Sequence, residues 1–196
     1  GHTALLRDLD FTRKFLIDYQ DRATCVLFGD GAGAAVVGPV EGNRGILAAK
    51  IKSDGRFEEQ LYSPGGGTRR RPTAETLAAG DHFFKMKGNE LFKVAVRSMA
   101  EVSRDVLETA GLTAADVDLF IPHQANQRIT EAVANKLNVE MDRVYSNIAV
   151  HGNTSSASIP IALDECVEAG KINDGDLVLM ASFGGGVTWG GVLVRW

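Results

Sequence analysis

Three short stretches carry groups suited to stabilising negative charge on a substrate oxygen. His123 stands in Ile121-Pro122-His123-Gln124-Ala125-Asn126, Asn153 in His151-Gly152-Asn153-Thr154, and Gly185 in the triplet that follows Phe183. An imidazole N–H and a carboxamide N–H directed at one point make a side-chain oxyanion hole, able to hold an enolate next to a thioester carbonyl. A glycine triplet exposes backbone N–H groups, which suits a second oxyanion hole at a tetrahedral intermediate. Taken alone, His123 also reads as a capping or loop histidine. The set lacks a nucleophile: Ser155 and Ser156 read as helix-start residues, and Cys25 and Cys166 as packing residues in apolar segments.

The elements that must position these groups follow from periodicity. Val117 to Ile121 is β-rich and stops at Pro122, after which Ile129, Val133 and Leu137 recur at helical spacing, so His123 lies at a strand-to-helix junction. Such junctions at the ends of sheet strands are where α/β proteins bind ligands. A long amphipathic helix is predicted from Asn89 to Ala110, with Phe92, Ala95, Val96, Met99, Val102 and Val106 on its core face and Gly111 as its stop. Thr113 and Asp116 have capping-box spacing. A short strand is expected near Val144, and a helix after the Ser/Thr run at 154–156, with Ile159, Leu163, Cys166 and Val167 on its apolar face. A strand from Leu177 to Ser182, a glycine turn and a strand from Val187 to Arg195 close the chain.

Earlier in the chain, Thr24 to Phe28 and Ala34 to Val37 are predicted to form a β-hairpin around Gly29-Asp30-Gly31-Ala32-Gly33. No Lys-Ser/Thr follows these glycines, which argues against a phosphate loop. Gly45 to Ile51 reads as another strand, and residues 53–80, with Arg69, Arg70 and Arg71, as a long surface loop. Residues 1–12 are left unassigned. The strand, Phe-Gly-x-Gly, strand pattern at Phe28 recurs at Phe183, as expected of a duplicated half-domain whose first copy is mostly missing.

With 44% hydrophobic and 23% charged residues in 196, the composition is that of a globular chain long enough for a sizeable core. A net charge of −4 argues against a nucleic-acid coat protein. No apolar run approaches a membrane span and no signal-peptide layout opens the chain, so the expected compartment is the cytoplasm. Two distant cysteines give neither a zinc site nor a disulfide framework.

The stretches 121–126, 152–155 and Phe183-Gly184-Gly185-Gly186-Val187-Thr188-Trp189-Gly190, with Phe28-Gly29-Asp30-Gly31-Ala32-Gly33-Ala34 and Met86-Lys87-Gly88-Asn89-Glu90-Leu91-Phe92-Lys93, resemble the β-ketoacyl-[acyl carrier protein] synthase III family of the thiolase superfamily. The resemblance covers roughly residues 13–196. It implies an α/β, thiolase-like fold with a mixed, mostly parallel sheet, packed helices and a terminal β-hairpin. Residues 13–53 would end the first thiolase-like half and 54–196 would form the second. It implies decarboxylating condensation of an acyl-CoA primer with malonyl-[acyl carrier protein], needing no metal or cofactor, by a Cys-His-Asn triad.

By that resemblance His123 and Asn153 are the His and Asn that hold the malonyl thioester oxygen. Gly185 is a backbone oxyanion donor, and Phe183 the aromatic that disfavours the malonyl carboxylate. Met86, Gly88, Phe92, Ala125 and Asn126 match the pantetheine tunnel, and Lys93, Arg128 and Lys136 match the carrier-protein dock. The family's nucleophilic cysteine lies in the half that is largely absent here. The chain is therefore expected to be inactive in condensation alone, to leave an apolar face for the other half, and to belong to a homodimer at full length. The alternatives are a non-catalytic carrier-binding half, a subunit of a split enzyme, or a related polyketide-type condensing enzyme.

Overall fold

A computed structural model describes residues 2–6 and 16–196. The main sheet has four strands in the order β3 (Gly45–Ser53), β8 (Thr188–Arg195), β7 (Leu177–Gly184) and β6 (Leu119–Pro122). Only β6 and β7 pair in parallel; β7–β8 and β3–β8 are antiparallel. The expected mixed, mostly parallel sheet thus has β3, β7 and β6 running in one direction, with β8 reversed between β3 and β7. The reason is the short connection between β7 and β8, which allows only a hairpin. Two smaller pairs lie outside it: β1 (His2–Leu6) with β2 (Gly33–Val37), and β4 (Leu61–Tyr62) with β5 (Lys85–Met86). Of the unassigned residues 1–12, 2–6 thus form a strand, and 1 and 7–12, like 13–15, lie outside the described residues.

The predicted loop at 53–80 contains a 3-10 turn at Gly55–Gln60, β4 and the short helix α1 (Ala74–Ala78). Long helix α2 spans Gly88–Thr109 and α3 spans Gln127–Leu137; α4 (Ile148–His151) is a single turn, and α5 spans Ser158–Glu168. Asn126 caps α3 by accepting from Arg128 N at 2.9 Å. Pro160 falls in the first turn of α5, where its missing N–H costs nothing. The short strand expected near Val144 is one bridge to Phe120.

Alternation along β6 and β7 divides the core. Phe120, Leu179, Ala181 and Phe183 pack with Val94, Met99, Val102 and Val106 of α2, whereas Leu119, Ile121 and Val178 pack with Ala162 and Cys166 of α5. The helix α2 also packs on α3, so its buried stripe is wider than one sheet contact requires. Its backbone approaches β8 closely enough that a Cβ on Gly191 would stand 3.2 Å from the Val102 carbonyl oxygen.

The hairpin predicted at 24–37 does not form. Residues 24–27 are turns, Phe28 makes a parallel bridge to Asn153, and β2 pairs with β1 instead. Gly29, Gly31 and Gly33 are spaced by two because one edge of this segment lies against residues 151–161. A Cβ at Gly29 would stand 1.9 Å from the His151 carbonyl oxygen, one at Gly31 2.8 Å from Ile161 Cδ1, and one at Gly33 2.5 Å from Pro160 Cγ. Close approach, rather than turn geometry, requires these glycines. Cys25, predicted in a strand, lies in a turn. Exposed apolar side chains remain, led by Ile51 (87%), Val36 (84%), Val150 (79%) and Val26 (71%).

Candidate active site

A cavity of about 380 Å³ opens at the end of β6 and β7 and is lined by His123, Asn153, Phe183 and Gly185. His123 leaves β6 with its N–H bonded to Ala181 O at 2.8 Å, which fixes the residue to the neighbouring strand. Its Nδ1 lies 2.6 Å from Ser158 Oγ. Its Nε2 has no hydrogen bond among the described residues. Burial pushes the imidazole down to about 4, so the ring is neutral at ordinary pH.

Gln124, quoted in the sequence only as part of a motif, is fully buried and ties the loops together. Its amide nitrogen donates to Pro122 O (2.7 Å) and Tyr145 O (3.3 Å), and its carbonyl oxygen accepts from Ser146 Oγ (3.0 Å) and Asn147 N (3.1 Å). The side chain is thus satisfied on all four counts.

Asn153 follows α4 and Gly152, whose φ of +69° is one that L residues rarely adopt. Its main chain is clamped from both sides by the segment at Phe28: Asn153 N donates to Leu27 O at 2.9 Å, and Gly29 N donates to Asn153 O at 2.8 Å. Asn153 Oδ1 accepts from Ser155 N at 2.8 Å, which leaves Nδ2 without a partner among the described residues. Behind this loop, Glu165 accepts from Asn147 Nδ2 (2.6 Å) and Tyr145 OH (3.1 Å) and contacts His151 Nε2 at 2.6 Å. Burial pushes the Glu165 carboxyl up, but the bonds from Asn147, His151 and Tyr145 together outweigh it and hold it below the usual range.

Gly185 sits at the tip of the β7–β8 hairpin, its N–H free of partners among the described residues, and a Cβ there would stand 3.0 Å from Leu61 O. The tunnel candidates Met86, Gly88, Phe92, Ala125 and Asn126 all line the cavity. Lys93, Arg128 and Lys136 do not line it and are exposed on α2 and α3. The Arg128 guanidinium lies over the Phe92 ring at 5.7 Å from its centre, beside the cavity, whereas Lys136 is about two turns further along α3.

The cavity wall also includes Phe28 and Phe84, stacked at 6.3 Å, with Leu27 and Leu61. Sequence reasoning missed these because nothing local marks them as neighbours of His123. Burial pushes the Cys166 thiol up to about 11, so that thiol stays protonated. Among the described residues no cluster of His, Cys, Asp and Glu is arranged to hold a metal, and no helix is long and apolar enough to cross a membrane.

A sheet covered by α2 and α3 on one face and α5 on the other, with His and Asn loops at its end, is a thiolase-like α/β arrangement. The family model described as 3-oxoacyl-[acyl-carrier-protein (ACP)] synthase III C terminal matches residues 107–196, and that described as 3-oxoacyl-[acyl-carrier-protein (ACP)] synthase III matches residues 10–55. The chain is 46% identical over 188 residues to the β-ketoacyl-[acyl-carrier-protein] synthase III of Natranaerobius thermophilus, covering 94% of this chain and 57% of that relative. It is similar to the crystal structure of 3-oxoacyl-[acyl-carrier-protein] synthase III from Aquifex aeolicus, with a TM-score of 0.82 and 51% identity over 92% of this chain and 54% of that one. The priming β-ketosynthase from the R1128 polyketide biosynthetic pathway gives a TM-score of 0.81 at 36% identity, over 93% and 54%. The chain belongs to the β-ketoacyl-[acyl carrier protein] synthase III family, and it spans about half the length of the curated relatives it matches.

Proposed function

We propose that this chain supplies the His–Asn part of a condensing site that joins an acyl-CoA primer to malonyl-[acyl carrier protein], in the cytoplasm. One observation carries the reading: His123 Nε2 and Asn153 Nδ2, from separate loops, are both without partners among the described residues and border one cavity. With a malonyl thioester there, both N–H groups bond the thioester oxygen. The bond to the carboxylate breaks, carbon dioxide leaves, and its electron pair enters the enolate these donors stabilise. In the whole enzyme the enolate attacks an acyl group on a cysteine outside this chain; in this chain alone, a proton from water gives the acetyl thioester. Gly185 N–H serves the later tetrahedral oxyanion, and Phe183 presents an apolar ring to the departing carboxylate.

Met86, Gly88, Phe92, Ala125 and Asn126 are assigned to the pantetheine arm, and Lys93, Arg128 and Lys136 to the acidic carrier protein. Reversing the charge at Lys93 or Arg128 is expected to weaken carrier binding more than reversal at Lys136, and the difference should shrink as salt rises. In domain terms, the end of one thiolase-like half is assigned to the residues before β3 and the other half to residues 45–196, in place of the expected boundary after residue 53, because β3 pairs with β8 in the sheet that holds β7 and β6. The exposed Val26, Val36, Ile51 and Val150 form surface that the rest of a full-length homodimer would cover.

The test is carbon dioxide release from malonyl thioesters by the purified chain. Release above background that disappears in His123→Ala and Asn153→Ala supports the reading. No release would leave carrier binding without chemistry, as a carrier-binding half or a split-enzyme subunit. The likeness to the priming ketosynthase keeps a polyketide-type role as a second reading, which primer preference in the reconstituted enzyme distinguishes.

A further inference from the structure

We propose that the Ser158 hydroxyl, reaching from the first residue of α5, decides which nitrogen of His123 carries the proton and keeps it on Nε2. The inference rests on the oxyanion reading of His123 for its consequence, but not for its geometry.

Ser158 is 2% exposed, and its Oγ has two neighbours. Gln124 N–H lies 3.3 Å away and can only donate, so it takes one lone pair of the hydroxyl. The hydroxyl's own proton then needs an acceptor. Among the described residues the one in contact is His123 Nδ1, at 2.6 Å. Neither Thr154 O nor Ser155 O of the adjoining turn is within hydrogen-bonding geometry of the Ser158 hydroxyl; the donors to them are the backbone N–H groups of Ala157 and Ser158. The chain of donors therefore runs one way, from Gln124 N–H to Ser158 Oγ and from Ser158 O–H to His123 Nδ1. A Nδ1 that accepts is unprotonated, and the neutral ring carries its hydrogen on Nε2, on a side chain that lines the cavity. The opposite tautomer would aim two donors at Oγ and strand the hydroxyl proton in a buried site.

Ser158 is thus a positioning residue. It touches no substrate, yet it converts His123 from a group that could accept a proton at the cavity into one that donates there, as an oxyanion hole requires. The tautomer is set by a residue on a different element from His123, so the docking of α5 against the end of β6 arms the site.

The experiment is 15N-histidine NMR on the chain, whose four histidines are few enough to separate, with His123→Gln identifying the His123 signals. The native chain is expected to show His123 with a bare Nδ1 and a protonated Nε2. In Ser158→Ala the two ring-nitrogen shifts should move toward each other, while His82 and His151 keep theirs, which shows the fold intact. Ser158→Thr, which keeps the hydroxyl, should restore the native pattern. Carbon dioxide release should fall about three- to tenfold in Ser158→Ala, the size one hydrogen bond carries, and recover in Ser158→Thr. A native His123 with the proton on Nδ1, or a tautomer unchanged by Ser158→Ala, overturns the proposal. A native chain that releases no carbon dioxide overturns the functional reading and leaves the tautomer result standing.

Discussion

The His123 loop and the Asn153 loop border the same cavity but are built differently. The His123 loop is held by what lies beside it in the C-terminal body: Ala181 on the adjacent strand, the Asn126 cap of α3, and the buried Gln124 amide. The Asn153 loop is held by a backbone clamp from Leu27 and Gly29, far away in sequence. One donor is placed by forming the sheet. The other is placed only when a distant segment docks, so residues with no chemistry of their own are part of the site.

The largest expected effect follows from that clamp. Gly29→Ala would put a Cβ 1.9 Å from a backbone oxygen, which no rotamer change can relieve. It should cost about 3 kcal/mol of stability, read from the urea midpoint, and abolish carbon dioxide release. An unchanged midpoint would mean that residues 27–29 do not hold Asn153. By contrast, Gly170→Ala at a helix end with open space should leave carbon dioxide release at the native level, although its φ of +61° makes the substitution mildly unfavourable.

Removing the donors should come next. His123→Ala and Asn153→Ala are each expected to lower decarboxylation by about 10²–10³. If the donors act on one oxygen, the double variant should fall well short of the product of the two losses. Full multiplicativity in the rates would separate them into independent roles.

The pH response should also distinguish the loops. The His123 pKa is lowered from 6.5 to about 4 by burial, so between those values the unfolded chain binds the proton that the folded chain refuses. Stability should therefore fall as pH drops from 6.5 toward 4, by up to about 3 kcal/mol, and His123→Gln should remove that slope. Glu165, behind the Asn153 loop, has its folded pKa below the usual value, so its contribution is present above about 4.5 and lost as pH falls through the folded value. Glu165→Gln should flatten only this lower window. Chemical denaturation at a series of pH values would show two successive losses, and a single one would merge the loops into one unit.

Elements with strong local signals were legible without coordinates. The α2 stripe, the Thr113–Asp116 capping box and the closing hairpin all follow from spacing and capping chemistry. The segment 24–37 misled because Gly-Asp-Gly-Ala-Gly carries the local signature of a tight turn, while its actual neighbours, His151, Pro160 and Ile161, are remote in sequence.

At the site, the position of His123 at a strand end could be read from Pro122 and the helix that follows. Its contact with Ser158 could not, because it arises only when α5 packs across the end of β6. The residues by themselves determined which groups can donate to an oxygen and which segments become strand or helix, since these depend on side-chain chemistry and on neighbours a few positions away. Tertiary structure alone decided that His123 and Asn153 share a cavity and that residues 27–29 grip the second of them. Those are contacts between segments whose local preferences carry no record of each other.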